Sequence, residues 1–113
     1  MAYDIHITKR KHWTDKGSDV TLHEWDKLLV TDGELIRAEK IEGQTQNGDK
    51  FEYTLTGTKL AKWQSPSSGN IVWLVYRKGL IDISGPDDAT VKKAKEIALK
   101  LGAKVQGDDG ELY

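Results

Sequence analysis

The chain has no cysteine, two prolines, one phenylalanine and one methionine among its 113 residues. The missing thiols exclude disulfide staples, thiolate metal sites and cysteine nucleophiles, and they fit a reducing compartment. Charge of one sign is also missing. Seventeen basic residues face eighteen acidic ones, a formal net charge of −1, so no global field draws in nucleic acid or an anionic membrane. The longest apolar run, Ile71 to Tyr76, falls far short of the ~20 residues that cross a bilayer. Met1-Ala2-Tyr3-Asp4 lacks the basic and apolar regions of a signal peptide. These absences lead to the expectation of a cytoplasmic protein with no membrane partner.

What is present is enough for one core. Hydrophobic residues make up 37% of the chain and include Trp13, Trp25, Trp63 and Trp73, each able to bury a large apolar area, so the chain is too rich in core formers to be disordered. The length suits a single α+β domain spanning residues 1–113.

The order of elements follows from periodicity. Tyr3, Ile5 and Ile7 alternate with Asp4, His6 and Thr8, the pattern of a strand with one buried face. Thr21 and Glu24 are spaced for a capping box, and Val20 and Trp25 for a hydrophobic staple. The helix they open carries Leu22, Trp25, Leu28 and Leu29 on one face and stops at Asp32-Gly33. Leu35 to Thr45 and Lys50 to Thr56 read as a hairpin around Gln46-Asn47-Gly48, with Gly43 opposite Phe51 and Ile41 opposite Tyr53 because that register sets apolar against apolar. Leu60 to Trp63 fits a short strand. Ile71 to Tyr76 is apolar on both faces, as in a central strand.

Arg77-Lys78-Gly79 reads as a three-residue loop that pairs Val75 with Ile81 and Trp73 with Ile83. That register sends Val72, Leu74, Tyr76, Leu80, Asp82 and Ser84 to the face opposite Ile81 and Ile83. Pro86-Asp87-Asp88 opens a second helix whose stripe is Val91, Ala94, Ile97, Ala98 and Leu101, and Gly102 ends it. Lys104 to Gln106 adds a last strand. The expected architecture is a mostly antiparallel five- to six-stranded sheet with two helices packed on one face.

Chemistry-bearing motifs are scarce. No phosphate-binding glycine loop, G-x-S-x-G elbow or H-E-x-x-H helix occurs, and no cofactor is implied. His6, His12 and His23 match no metal-ligand spacing, so no metal site is assigned. Asp15 to Asp26 fails as a calcium loop, with Val20 where a sharp-turn glycine belongs and Asp26 in place of the bidentate glutamate. Lys9, Arg10 and Lys11 with His12 or Trp13 resemble a single-strand nucleic-acid surface, which the neutral total charge and the acidic tail oppose.

Two surfaces remain. The C-terminal segment Gly107-Asp108-Asp109-Gly110-Glu111-Leu112-Tyr113 concentrates carboxylates after a helix. It reads either as a turn with Leu112 and Tyr113 folded back on the core, or as a negative patch that docks a basic protein. The open sheet face adds Leu74, Tyr76 and Asp82 to a partner surface formed with Asp108, Asp109, Glu111 and Tyr113, and it is also where two copies of the chain could pair. The same face supports an alternative, a ligand or catalytic site built from Asp4, His6, Tyr76 and Asp82, with His6 as base.

The opening Tyr3-Asp4-Ile5-His6-Ile7-Thr8-Lys9-Arg10 and the ending Ala103-Lys104-Val105-Gln106-Gly107-Asp108-Asp109-Gly110-Glu111-Leu112-Tyr113 resemble a group of small uncharacterised bacterial proteins, over the whole chain. That group implies no catalytic residues. The size, one-sided sheet and acidic end are also similar in general type to immunity proteins that neutralise bacterial toxins. The resemblance implies a non-enzymatic module whose partner is another protein.

Overall fold

The first helix is set by its own sequence. In the computed structural model, which describes residues 4–17, 19–39, 41–44, 47–53, 59–66 and 68–113, α1 covers Leu22–Thr31 with Thr21 as its N-cap. The Thr21 hydroxyl accepts the Glu24 amide and the Glu24 carboxylate accepts the Thr21 amide, so two amides that the helix cannot pair are satisfied. Val20 and Trp25 are fully buried and close the staple. α2 covers Asp88–Leu101, with Asp87 accepting the Thr90 amide and Gly102 in the left-handed conformation that ends the helix. Ala94, Ile97, Ala98 and Leu101 are buried, and Val91 is half-buried beside them.

Among the described residues the strands are β1 (Asp4–Thr8), β2 (Leu35–Ala38), β3 (Ile41–Gln44), β4 (Lys50–Tyr53), β5 (Lys59–Gln64), β6 (Ile71–Arg77), β7 (Leu80–Ser84) and β8 (Lys104–Gly107). Six of them form one antiparallel sheet in the order β2-β5-β6-β7-β1-β8, and β3 and β4 form a separate pair. β1, first in sequence, therefore lies inside the sheet between β7 and β8.

Alternation then divides the sheet. Ile5, Ile7, Leu35, Ala61, Trp63, Leu74, Ile81, Ile83 and Val105 join Trp25, Leu28 and the α2 stripe in one apolar cluster, so both helices cover this face. The fold is α+β, as expected. The opposite face carries His6, Thr8, Asp82 and Gln106 at the β7-β1-β8 end, and Ile36, Lys62, Ile71 and Trp73 at the β2-β5-β6 end.

Two registers depart from the sequence reading. The β6–β7 turn has two residues, Lys78 and Gly79, at φ 51° and 81°, the double left-handed geometry whose twist matches the flanking strands. Arg77 thus pairs with Leu80, Tyr76 with Ile81 and Leu74 with Ile83. The three-residue loop expected here is wrong by one position, and β6 is turned over relative to expectation. Leu74 and Tyr76 do not share the open face with Asp82: Leu74 lies in the core and Tyr76 packs on α1, its ring 5.4 Å from that of Trp25.

Leu35 to Thr45 is also not one strand. β2 pairs with β5, whereas β3 leaves the main sheet to pair with β4. The β3–β4 register is the expected one, with Gly43 opposite Phe51 and Ile41 opposite Tyr53. Tyr3, Thr45 and residues 54–56, which the sequence assigned to strands, lie outside the described residues.

The β6 register is directly testable. Leu74→Ala should cost about 2–5 kcal/mol, the range for emptying a buried leucine site, while Ile71→Ala, at a side chain 46% exposed, should cost well under ~1 kcal/mol. Urea denaturation midpoints of the two variants distinguish this register from the one-residue slip.

Candidate functional site

The polar end of the open face is organised by one histidine. On β1, Ile5 and Ile7 point into the core, so alternation turns His6 to the opposite side. The sheet register places Asp82 directly across from it on β7 and Gln106 across from it on β8. His6 Nδ1 lies 2.5 Å from Asp82 Oδ1. After β8 the chain turns at Gly107-Asp108-Asp109-Gly110, closed by the Gly110 amide on the Gly107 carbonyl at 3.0 Å. This turn brings Asp108 back over the strand, its Oδ1 2.8 Å from His6 Nε2, while its Oδ2 accepts the Asp4 amide at 3.1 Å.

Ionised carboxylates only accept, so with a carboxylate at each ring nitrogen the geometry favours the doubly protonated ring, with both nitrogens donating. Its pKa is consistent with that: burial pushes it down, but the hydrogen bonds to Asp82 and Asp108 more than reverse this, leaving it above the ordinary histidine value. His6 and Asp4 in turn hold the Asp108 carboxyl below the usual carboxylate range.

A loop then roofs the histidine. Trp13 stacks flat on the imidazolium, with centroids 3.8 Å apart and planes 11° from parallel, which puts an electron-rich ring face over a cation. Its indole N–H donates to the Asp108 carbonyl at 3.2 Å and its amide donates to Gln106 Oε1 at 2.8 Å. Gln106 Nε2 returns a bond to the Lys11 carbonyl at 2.9 Å. Arg10 pins the rest of the loop, donating to the carbonyls of Gly17, Trp13 and Lys78 and to the Asp19 carboxylate. Arg77 Nε closes the group by donating to Asp82 Oδ2.

Under this roof His6 is 2% exposed. A general base needs a free lone pair within reach of a substrate proton, and His6 has both nitrogens engaged. The arrangement is a clamp that joins β1, β7, the C-terminal turn and the Trp13 loop.

The sequence-derived candidates are thus sorted. His6 and Asp82 meet, and Asp4 joins them through its backbone amide. Tyr76 is on the other side of the sheet, donating its hydroxyl to the Val20 carbonyl at 2.7 Å; burial raises its pKa. The four-residue site Asp4, His6, Tyr76, Asp82 does not assemble. Asp108 turns inward, while Asp109 and Glu111 are exposed. Leu112 bridges back to Gln106 and the Tyr113 amide bonds the Val105 carbonyl at 3.0 Å. The segment folds back as one reading required, but Leu112 and Tyr113 stay 68% and 42% exposed instead of closing the core.

Of the basic run, Lys9 pairs with Glu24 at 2.6 Å and Arg10 is committed to the loop, so these two do not stand free as a phosphate-binding stripe. His12 Nδ1 lies 2.7 Å from Thr14 Oγ1, and His23 is exposed on α1. Among the described residues no group of three or more His, Asp or Glu side chains is arranged to hold a metal ion, and no helix is long and apolar enough to cross a membrane.

A second ionic group, built on the buried pair Lys93 and Asp32, lies on the helical side. Lys93 Nζ is 2.9 Å from Asp32 and 2.6 Å from Glu34, and Lys100 Nζ is 3.2 Å from Asp32. Burial opposes the charge on Asp32, but Lys93, the Glu34 amide and Lys100 outweigh it and lower its pKa. The group fixes α2 to the end of α1.

Sequence reasoning missed Trp13, Arg77 and Gln106 as parts of the clamp. With a two-residue turn, Arg77 and Asp82 fall on the same face, two positions apart diagonally, within reach of a long side chain.

The clamp has a definite pH dependence. His6 has a folded pKa above its unfolded one, so its contribution is complete below the ordinary value of about 6.5 and is lost as pH rises through the folded pKa. Asp108 is the reverse case: its contribution is lost as pH falls through its lowered folded pKa. In the pH range just above about 6.5, below the titration of Tyr76 and Lys93, denaturation midpoints should therefore fall for the wild type and stay flat for His6→Gln. At pH 6, Asp108→Asn should cost about 1–3 kcal/mol and Asp109→Asn less than ~0.5 kcal/mol. No protein-family model, curated protein or solved structure matches the chain.

Proposed function

We propose that the protein is a non-enzymatic binding module that docks a basic protein partner through its C-terminal hook, residues 107–113. The observation that carries this reading is the display of Leu112 and Tyr113, 68% and 42% exposed, on a fixed backbone. The Gly107 amide bonds the Glu111 carbonyl at 2.9 Å, the Tyr113 amide bonds the Val105 carbonyl, and Asp108 is tied to His6. Exposed apolar anchors with exposed carboxylates, Asp109 and Glu111, beside them are the parts from which protein interfaces are made. Because the hook is already ordered, little further entropy is lost on docking.

The acidic pair at the rim acts mainly on encounter rate and partner choice. Leu112 and Tyr113 act on residence time. An immunity-type antagonist of a basic toxin is the form of this reading that the sequence resemblance implies. His6 argues for binding over catalysis, since neither of its nitrogens is open to a substrate.

Immobilised wild type should capture a basic protein at low salt, and Leu112→Ser should release that protein about tenfold faster. Asp109→Asn/Glu111→Gln should slow its association, with the difference shrinking as salt rises. Equal affinity of the wild type and both hook variants for the captured protein, at low and moderate salt, contradicts the proposal.

A further inference from the structure

Next to the clamp, on the side of Arg77, the residues Arg10, Trp13, Thr14, Arg77, Lys78 and Leu80 line a groove of about 260 Å³. The geometry points to this groove as a binding site for a small organic anion, a phosphate or carboxylate carried on a short planar body. The charged head sits between Lys78 and the outer edge of Arg77, and the body lies against Trp13 and Leu80. The site rests on residues other than those of the hook.

Three of the lining residues are cations and none is a carboxylate. Their roles differ. Arg10 has each guanidinium nitrogen committed to the loop, and its charge is paired with Asp19 at 2.7 Å, so it is wall. Arg77 commits only Nε, to Asp82, and its side chain is 47% exposed. Its terminal fork, the edge that binds phosphate or carboxylate through two hydrogen bonds, has no partner among the described residues. The Lys78 ammonium likewise has none among them.

Lys78 supplies an independent observation. It occupies the first position of the β6–β7 turn at φ 51°, a left-handed conformation that turn chemistry ordinarily gives to Asn, Asp or Gly. A lysine there is strained by its backbone while its side chain borders the groove, and strain of this kind collects at ligand clamps. Gly79 beside it is equally constrained, since a Cβ there would overlap the Asp19 side chain. The Val20 amide donates to the Gly79 carbonyl at 2.8 Å and Arg10 donates to the Lys78 carbonyl, which holds the turn beneath the groove.

The apolar wall is also fixed in advance. Trp13 is held by its amide, its indole N–H and its stack on His6, so a ligand does not have to order it. The volume lies just under the ~300 Å³ at which drug-sized pockets begin. That limits the ligand to one charged head and about one ring.

The test is a nitrogen-15 NMR titration of the whole chain at fixed ionic strength, with phenyl phosphate, benzoate and inorganic phosphate as probes. Saturable shifts are expected at the Trp13 indole N–H, the Lys78 amide and the Arg77 Nε–H. One of the aromatic anions should bind about tenfold more tightly than inorganic phosphate, because only it reaches the apolar wall. The tighter of the two identifies the head group. Lys78→Asn retains a residue suited to the left-handed turn and should fold as the wild type does, with binding weakened about fivefold or more through loss of one charged contact. Absence of saturable shifts up to ~10 mM aromatic anion, a concentration weaker than any useful recognition, overturns the proposal. So does unchanged binding by Lys78→Asn.

Discussion

A protonated histidine held between two carboxylates is the interaction on which the polar half of this protein depends. His6, Asp82 and Asp108 come from the first strand, the seventh strand and the C-terminal turn. Their meeting fixes where each segment lies. Buried charge is tolerated only when it is paired and its remaining hydrogen-bonding positions are filled. Here Arg77 takes the second oxygen of Asp82, the Asp4 amide takes the second oxygen of Asp108, and Trp13 covers the ring. Removing one member leaves the others charged and without their partner, so the group acts as a unit.

The two faces of the sheet are thus held by different physics. The helical face is an apolar cluster running from Leu35 to Val105 across both helices, non-directional and tolerant of small changes in shape. The β7-β1-β8 end of the other face is held by directional polar contacts, which specify geometry more sharply. The loop after β1 has little apolar content besides Trp13, yet its residues Lys9 to Gly17 are ordered through Arg10, Trp13 and Gln106. That order shapes both the C-terminal hook and the cationic groove. Both surfaces are thus assembled within the chain itself.

Much of the architecture was legible in the sequence because local rules and burial agreed. The capping box at Thr21, the stripe of α2, the stop at Gly102 and the period-two pattern of β1 each have a local cause. The Ile41–Tyr53 register followed from matching apolar partners. The β6–β7 register did not follow, because Lys78 adopts a left-handed conformation that its residue type disfavours. Since β6 is apolar on both faces, its pattern could not correct the slip. That single error carried Leu74 and Tyr76 to the wrong side and separated Arg77 from Asp82. Of the clamp, the sequence paired His6 with Asp82 but not with Asp108: His6 lies 76 and 102 residues from these two partners, and only the complete strand order and the turn after β8 bring all three together.

The most direct test of this account is the protonation state of His6, read from its ring nitrogens by nitrogen-15 NMR between pH 5 and pH 9. The account predicts that at pH 7 both Nδ1 and Nε2 carry slowly exchanging protons, and that the ring titrates above the ordinary histidine value of about 6.5. A neutral His6 at pH 7, with one bare nitrogen, would contradict it.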